Sequence, residues 1–385
     1  MAASAGDGSL QLVFPYEADA LEALVRRHGS PLLLVDCDIV RRQYGALRAA
    51  LPGVDLHYAL KPLPERAVVE VLHEEGAWFD LATTGEVVLA GEAGIPASRC
   101  IHTHPIKRDQ DIRAALDFGI RTFVADNPDE LDKLVPYADR VELLLRISFR
   151  SPAAVVDLSR KFGCSPARAA ELIDRAGALG LRVAGLSFHV GSQSRRPDAQ
   201  LRAIDACAAL LRERLGRGLE GPLTLDIGGG FPIDYLEPAQ PIEEFCAPIR
   251  RALAGLPAGT RVIAEPGRFI CGPAGTLLTT VMGRAQRDGR WWYYLDDGLY
   301  GSFSGQLYDH ARYPIEPLRP RAGPREHSVL AGPTCDSIDV IAEDIELPLL
   351  RAGDILVGRQ MGAYTTASAT DFNFFPRART VVANR

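Results

Sequence analysis

From about residue 30 to residue 270, short apolar runs alternate with amphipathic stretches. Nine runs read as strands: residues 31–36 (PLLLVD), 55–61 (DLHYALK), 78–83 (WFDLAT), 100–104 (CIHTH), 122–126 (TFVAD), 141–147 (VELLLRI), 183–191 (VAGLSFHVG), 223–229 (LTLDIGG) and 261–267 (RVIAEPG). Between them, stretches such as PERAVVEVLHEEG and PARAAELIDRAGALG carry apolar residues at helical spacing and close on glycine, a common C-cap. Strand–helix alternation with short connections predicts parallel strands, and eight or nine such units predict a closed (β/α)8 barrel. After about residue 272 the pattern changes. TLLTTVMGRAQ, RWWYYLDDG, EHSVLAG and GDILVGRQMGAYT are separated by turn residues without long helices, which predicts a mostly antiparallel β domain. The expected division is a barrel over 30–270 and a β domain over 271–385 that also takes in residues 9–29.

Composition narrows the function. The chain has 385 residues, 47% hydrophobic and 24% charged, with a formal net charge of −6. No excess of Lys and Arg is available to neutralise phosphates, so a nucleic-acid partner is not expected. No run of eighteen apolar residues indicates a membrane span, and MAASAGDGSLQ lacks the basic and apolar regions of a secretion signal. Its first eight residues read as flexible. The seven scattered cysteines form neither a disulfide framework nor a CxxC pattern. The expected compartment is the cytoplasm.

The barrel prediction says where to look for chemistry, because such folds build their active sites at the C-terminal ends of the strands. Lys61 stands there, at the end of the apolar run LHYAL. A lysine so placed is costly unless its charge is paired or its proton is lost, and desolvation would make its amine a nucleophile able to hold an aldehyde as a Schiff base. Asp80, Arg146, His189, the glycines Gly228, Gly229 and Gly230, and Glu265 with Arg268 occupy the same end of other strands. Singly, each has a structural explanation; their convergence is what points to a site. His102 and His104, two apart in HTHPIK, lack an evident third ligand, so no metal is expected.

The motifs YALK, FDLAT, SRKFG, SFHVGSQ, LDIGGGFP, AEPGR, DDGLYGSF, LYDHA, GPTCDSID and MGAYT, in that order, resemble the fold-type III pyridoxal-phosphate decarboxylases. That group contains ornithine, lysine, arginine and diaminopimelate decarboxylases. The resemblance implies an alanine-racemase-like (β/α)8 TIM barrel with a β domain, and pyridoxal 5'-phosphate as cofactor. It implies that Lys61 carries the cofactor, that Gly228, Gly229, Gly230, Ser192, Arg268 and Tyr364 surround its phosphate, and that Gly267 also contacts the cofactor. It places Glu265 at the pyridine nitrogen, where it favours the protonated, electron-withdrawing ring, and His189 on the ring face. Asp80, Glu86 and Arg146 match polar positions near the lysine. Cys335 matches a cysteine that protonates the carbanion left by decarboxylation, supplied by the partner subunit of a homodimer with shared active sites. Phe372 matches an aromatic lining the partner's site.

The resemblance also bears on the substrate. Asp309, beside Tyr308 in LYDHA, and Asp336 match the acids that ornithine decarboxylases set against a distal amine. Diaminopimelate decarboxylases usually show Glu after the cysteine, so Asp336 favours a substrate ending in a simple amine. L-Ornithine ranks first and L-lysine second, as precursors of diamines in polyamine biosynthesis. One methylene separates them, worth about 1–3 kcal/mol in a pocket. The family usually carries Asn two positions after the lysine, whereas Pro62 and Leu63 follow it here. That departure keeps a modified or carrier-bound amino acid as an alternative; arginine is another, because a guanidinium can pair with the same acids, and diaminopimelate a third. An alanine racemase is disfavoured by Glu265, since those enzymes place arginine at the ring nitrogen. A catalytically dead regulatory homologue is disfavoured by the retention of Lys61, Cys335 and Asp336.

Overall fold

The computed structural model describes residues 10–149, 154–156, 160–219 and 221–385. The first eight residues and Ser159 of SRKFG lie outside them. The chain divides into two compact units: one comprises Arg41–Pro232 and Ala239–Phe269, the other the chain up to Val40 with Ile233–Pro238 and Ile270–Arg385.

The first unit is a closed barrel of eight parallel strands. In order around the barrel they are Thr224–Asp226, Arg261–Ala264, Val54–Ala59, Trp78–Leu81, Cys100–His102, Thr122–Ala125, Glu142–Ile147 and Arg182–Phe188. Each pairs in parallel with the next, and Arg182–Phe188 closes on Thr224–Asp226. A core cluster joins Ile101, Val124, Leu144, Ala184 and Ile263, one residue from each of five strands. The helices between them follow local chemistry. Pro166–Ala178 starts with Ser165, whose hydroxyl accepts from the Arg168 N–H at 3.2 Å, and buries Ala169, Leu172, Ile173 and Ala176 on one face. No described helix is both long and apolar enough to cross a membrane.

One expected barrel strand is not in the barrel. Leu32–Asp36 pairs antiparallel with Gly275–Arg287 and parallel with Arg379–Ala383, inside the second unit. All five of its residues are buried. A continuous apolar run states that both faces of a strand are covered; it does not state by which sheet.

The remaining pairings of the second unit are mostly antiparallel. Gly275–Arg287 pairs with Arg290–Leu295 and with Ile355–Gly358, and Arg325–Ala331 pairs with Val340–Pro348. Arg290–Leu295 and Arg325–Ala331 run parallel. The helix Ala18–His28 lays Leu21 and Leu24 on this sheet, in a core with Leu32, Leu34, Leu278, Val357 and Ala383.

Candidate active site

The strand ends of the barrel gather the expected residues. Lys61 follows Val54–Ala59, and its Nζ lies 3.4 Å from Asp80 Oδ2, at the end of the adjacent strand. The Lys61 side chain is 44% exposed, and its charge is paired with that carboxylate, one of the two outcomes open to a lysine at the end of an apolar strand. Asp80 is the buried partner and also accepts from the Thr103 hydroxyl. Pro62, the departure from the family pattern, packs where Gly267 lacks a side chain; a Cβ there would stand 2.6 Å from Pro62 Cγ. Leu63 is buried, and its carbonyl accepts from the Tyr58 hydroxyl at 3.1 Å.

Glu86 lies in the first turn of the helix Thr84–Glu92 and accepts from the Ala82 N–H, with Thr83 as N-cap. Burial pushes its carboxyl up, with Asp80 adding to the effect. Arg146, at the end of Glu142–Ile147, holds its guanidinium 5.7 Å from the centroid of the Phe162 ring. His189 follows Arg182–Phe188, and its Nδ1 accepts from the Gly191 N–H at 3.1 Å. Burial first, then the positive charges of Arg146 and Lys61, hold the imidazole well below its usual pKa of 6.5, so the ring is neutral with its proton on Nε2.

The three glycines follow Thr224–Asp226. A Cβ on Gly228 would stand 2.3 Å from Phe188 O, one on Gly229 2.7 Å from Glu265 O, and one on Gly230 2.4 Å from Gly191 O. Only glycine lets the backbone run this close to its neighbours. The turn is tied down at both ends, by Glu265 N–H to Gly228 O at 2.8 Å and by Ser194 N–H to Gly230 O at 2.9 Å. Arg268 is buried, and its Nε donates to Ser192 Oγ at 3.2 Å. Glu265 is buried with Oε1 lacking any hydrogen-bond partner among the described residues.

One participant was missed in the sequence. Asp226, inside the quoted motif LDIGGGFP, is fully buried and accepts from Gly228 N–H at 2.8 Å and from Ser187 Oγ at 3.2 Å. Its alternation in the strand, with the carboxyl on the face that Ser187 also occupies, was the available signal. Burial raises it to about 6.

The other expected residues belong to the second unit. Asp336 accepts from the Tyr300 hydroxyl, which holds its carboxyl below the usual range, and from Ile338 N–H at 3.2 Å. Tyr300, unassigned in the sequence although it lies in DDGLYGSF, stacks on Phe372 with ring centroids 4.3 Å apart. Cys335 is exposed, whereas the six other cysteines are buried; its N–H donates to Asn373 Oδ1 at 3.0 Å. Tyr308 and Asp309 end the short helix Gly305–Asp309. A Cβ on Gly305 would lie 3.0 Å from Tyr364 O, so Tyr364 borders that helix. The structure thus forms two groups, one in each unit. His102 and His104 join neither: His102 packs on Phe123 with both ring nitrogens unbonded, and His104 Nδ1 accepts from Ile106 N–H at 3.1 Å.

A parallel barrel with a lysine, a glycine cradle and buried carboxyls at its strand ends defines a cofactor enzyme. A family model for pyridoxal-dependent decarboxylases, describing their pyridoxal binding domain, matches residues 37–272, and the chain belongs to that family. A lysine/ornithine decarboxylase from Vibrio vulnificus, solved with putrescine and with cadaverine, is 55% identical, with TM-scores of 0.91 and 0.92. The match covers 97% of this chain and 99% and 100% of those. Over 364 residues, 94% of this chain and 92% of the relative, the chain is 36% identical to a lysine/ornithine decarboxylase of Selenomonas ruminantium. The protein is a pyridoxal-phosphate-dependent decarboxylase. The residues fit that cofactor: the glycine turn is a backbone cradle that any side chain would fill, and Glu265 Oε1 is a buried acceptor without a donor.

Proposed function

We propose that the protein decarboxylates a basic L-amino acid to a diamine, L-ornithine first and L-lysine second, in a homodimer with shared active sites. When bound, pyridoxal phosphate supplies a carbonyl carbon that captures the substrate amine and a ring that draws electrons from Cα. Lys61 offers the anchoring amine, and Asp80 keeps it oriented. The Gly228–Gly230 turn, Ser192, Arg268 and Tyr364 would hold the phosphate, Glu265 the ring nitrogen, and the neutral His189 the ring face. A neutral ring there adds no positive charge against a protonated pyridine. The bond that breaks joins Cα to the carboxylate, and the Cys335 thiol of the partner protomer gives Cα the proton that replaces it. Asp336, with Asp309, receives the distal ammonium, and Tyr308 and Phe372 border it.

The observation that carries this reading is the buried Glu265 Oε1, without a hydrogen-bond partner among the described residues, at the same strand ends as Lys61 and the glycine cradle. For the substrate, the support is Asp336, a carboxylate that Tyr300 orients through its hydroxyl and that suits an ammonium. The names of the relatives place lysine beside ornithine. The test is amine product from L-ornithine, L-lysine, L-arginine and meso-diaminopimelate, each incubated with purified protein and pyridoxal phosphate. Putrescine and cadaverine are expected, with putrescine formed faster. Agmatine as the main product, or no turnover of any of the four, would refute the proposal. Mixing Lys61→Ala with Cys335→Ala protomers tests the shared site: each is inactive alone, and partial activity returns on mixing. Its failure to return would show each site to be complete within one chain.

A further inference from the structure

We propose that Asp226 is a positioning residue for Glu265, and that the two carboxyls share one proton, so that the charge offered to the ring nitrogen belongs to the pair. The inference rests on the reading of Glu265 given above.

The backbone sets the pair side by side. Asp226 ends its strand opposite Ile263 of the neighbouring strand. Glu265 stands two residues beyond Ile263, and by strand alternation its side chain leaves the same face. Two hydrogen bonds lock this register: Ile227 N–H to Ile263 O at 2.9 Å and Glu265 N–H to Gly228 O at 2.8 Å. Both side chains are buried, and the Asp226 charge bears on Glu265. Two buried carboxylates set side by side cannot both be ionised without a large cost, and a proton held between them lets one donate to the other.

Asp226 has the firmer supports. Its Oδ1 accepts from Gly228 N–H and its Oδ2 from the Ser187 hydroxyl, and both bonds favour its ionised form. At Glu265, one of the two oxygens is without a hydrogen-bond partner among the described residues. The proton therefore rests on Glu265, and burial followed by the Asp226 charge pushes its carboxyl well above the usual range. Around the pair, Asp80 disfavours ionisation and Lys61 favours it at Glu265. Asp226 also ties Glu265 to the cradle, because the amide it accepts from belongs to the first glycine.

Infrared spectroscopy of the cofactor-free full chain, titrated with pH, tests the pair directly. The wild type should show one buried protonated carboxyl at neutral pH, absent in Glu265→Gln. Asp226→Asn removes the like charge and turns the acceptor into a donor, so the titration midpoint should fall by about one pH unit or more. Ser187→Ala removes a bond that favours ionised Asp226, so the midpoint should rise. Shifts of opposite sign support the pair. An unmoved midpoint in both variants, shifts of the same sign, or no protonated carboxyl in the wild type would overturn it. The readout contains no cofactor, so a chain that fails to bind pyridoxal phosphate while showing these shifts refutes the functional reading and leaves the pair standing.

Discussion

Gly229→Ala puts the cradle under a load that can be worked out. The added Cβ would stand 2.7 Å from Glu265 O and 3.2 Å from His189 Nε2. Ordinary contact begins near 3.4 Å, so the turn and the Glu265 backbone must separate by about 0.7 Å. The neighbouring bond, Glu265 N–H to Gly228 O at 2.8 Å, resists that separation. Overpacking of this kind costs about 1–3 kcal/mol, and weakening a backbone hydrogen bond adds about 1 kcal/mol. The total, roughly 2–4 kcal/mol, must appear as lost stability, lost cofactor affinity or both, because the displaced atoms belong to the turn itself. Fluorescence titration with pyridoxal phosphate and thermal unfolding without it divide the two. If the strain is released by weakened cofactor contacts, affinity falls about thirtyfold or more with the unfolding temperature nearly unchanged. If the folded chain bears it, the melting temperature falls by several degrees. A variant with unchanged affinity and unchanged melting temperature would refute the steric reasoning.

Three further outcomes follow from buried or paired groups. His102 is buried, has no partner for either ring nitrogen among the described residues, and burial lowers its pKa to about 4; an unfolded histidine titrates near 6.5, so the unfolded chain binds the extra proton between those values and stability falls as pH drops below 6.5. His102→Met should therefore gain about 2 kcal/mol over wild type at pH 5 beyond any gain at pH 8, read by urea unfolding, and an equal effect at both pH values would count against it. Lys107 is buried, with Nζ donating to the carbonyls of His104 at 3.1 Å, Pro105 at 3.1 Å and Val124 at 2.6 Å, and lying 3.2 Å from Glu130 Oε2. Lys107→Ala strands these acceptors, although Lys133 still reaches Glu130, and should destabilise by about 3 kcal/mol or more in chemical denaturation; a loss below about 1 kcal/mol would contradict the pairing. Tyr300→Phe removes the hydroxyl that orients the Asp336 carboxylate, and should raise the KM for the diamine precursor about tenfold with kcat little changed; steady-state kinetics with an unaltered KM would remove Tyr300 from the substrate site.

The barrel was legible because its strands and helices carry different periodicities, and its strand-end residues were legible because polar and charged side chains interrupt apolar runs. What escaped the sequence did so for identifiable reasons. The run at Leu32–Asp36 is apolar on both faces, so nothing in it distinguishes a barrel strand from the central strand of another sheet. The residues before Lys61 leave open whether its charge is paired or its proton lost, and the carboxylate that pairs it, Asp80, lies nineteen residues later. Asp226 and Tyr300 act through partners distant in sequence, Glu265 and Asp336, and no local pattern announces such pairs.

The placement of Leu32–Asp36 has a consequence for how the chain is made. This strand hydrogen-bonds to Arg379–Ala383 and to Gly275–Arg287, so its two neighbours are synthesised long after it. A ribosome delivers the complete barrel sequence in the interval. Five consecutive residues that are buried in the finished fold therefore wait without their sheet while the barrel is free to form. Loop-closure entropy is a minor obstacle, since each doubling of length adds only about 0.6 kcal/mol. The hazard is the sticky segment itself, which makes the emerging N-terminal region the place where chaperones have most to protect and where slow translation does most harm.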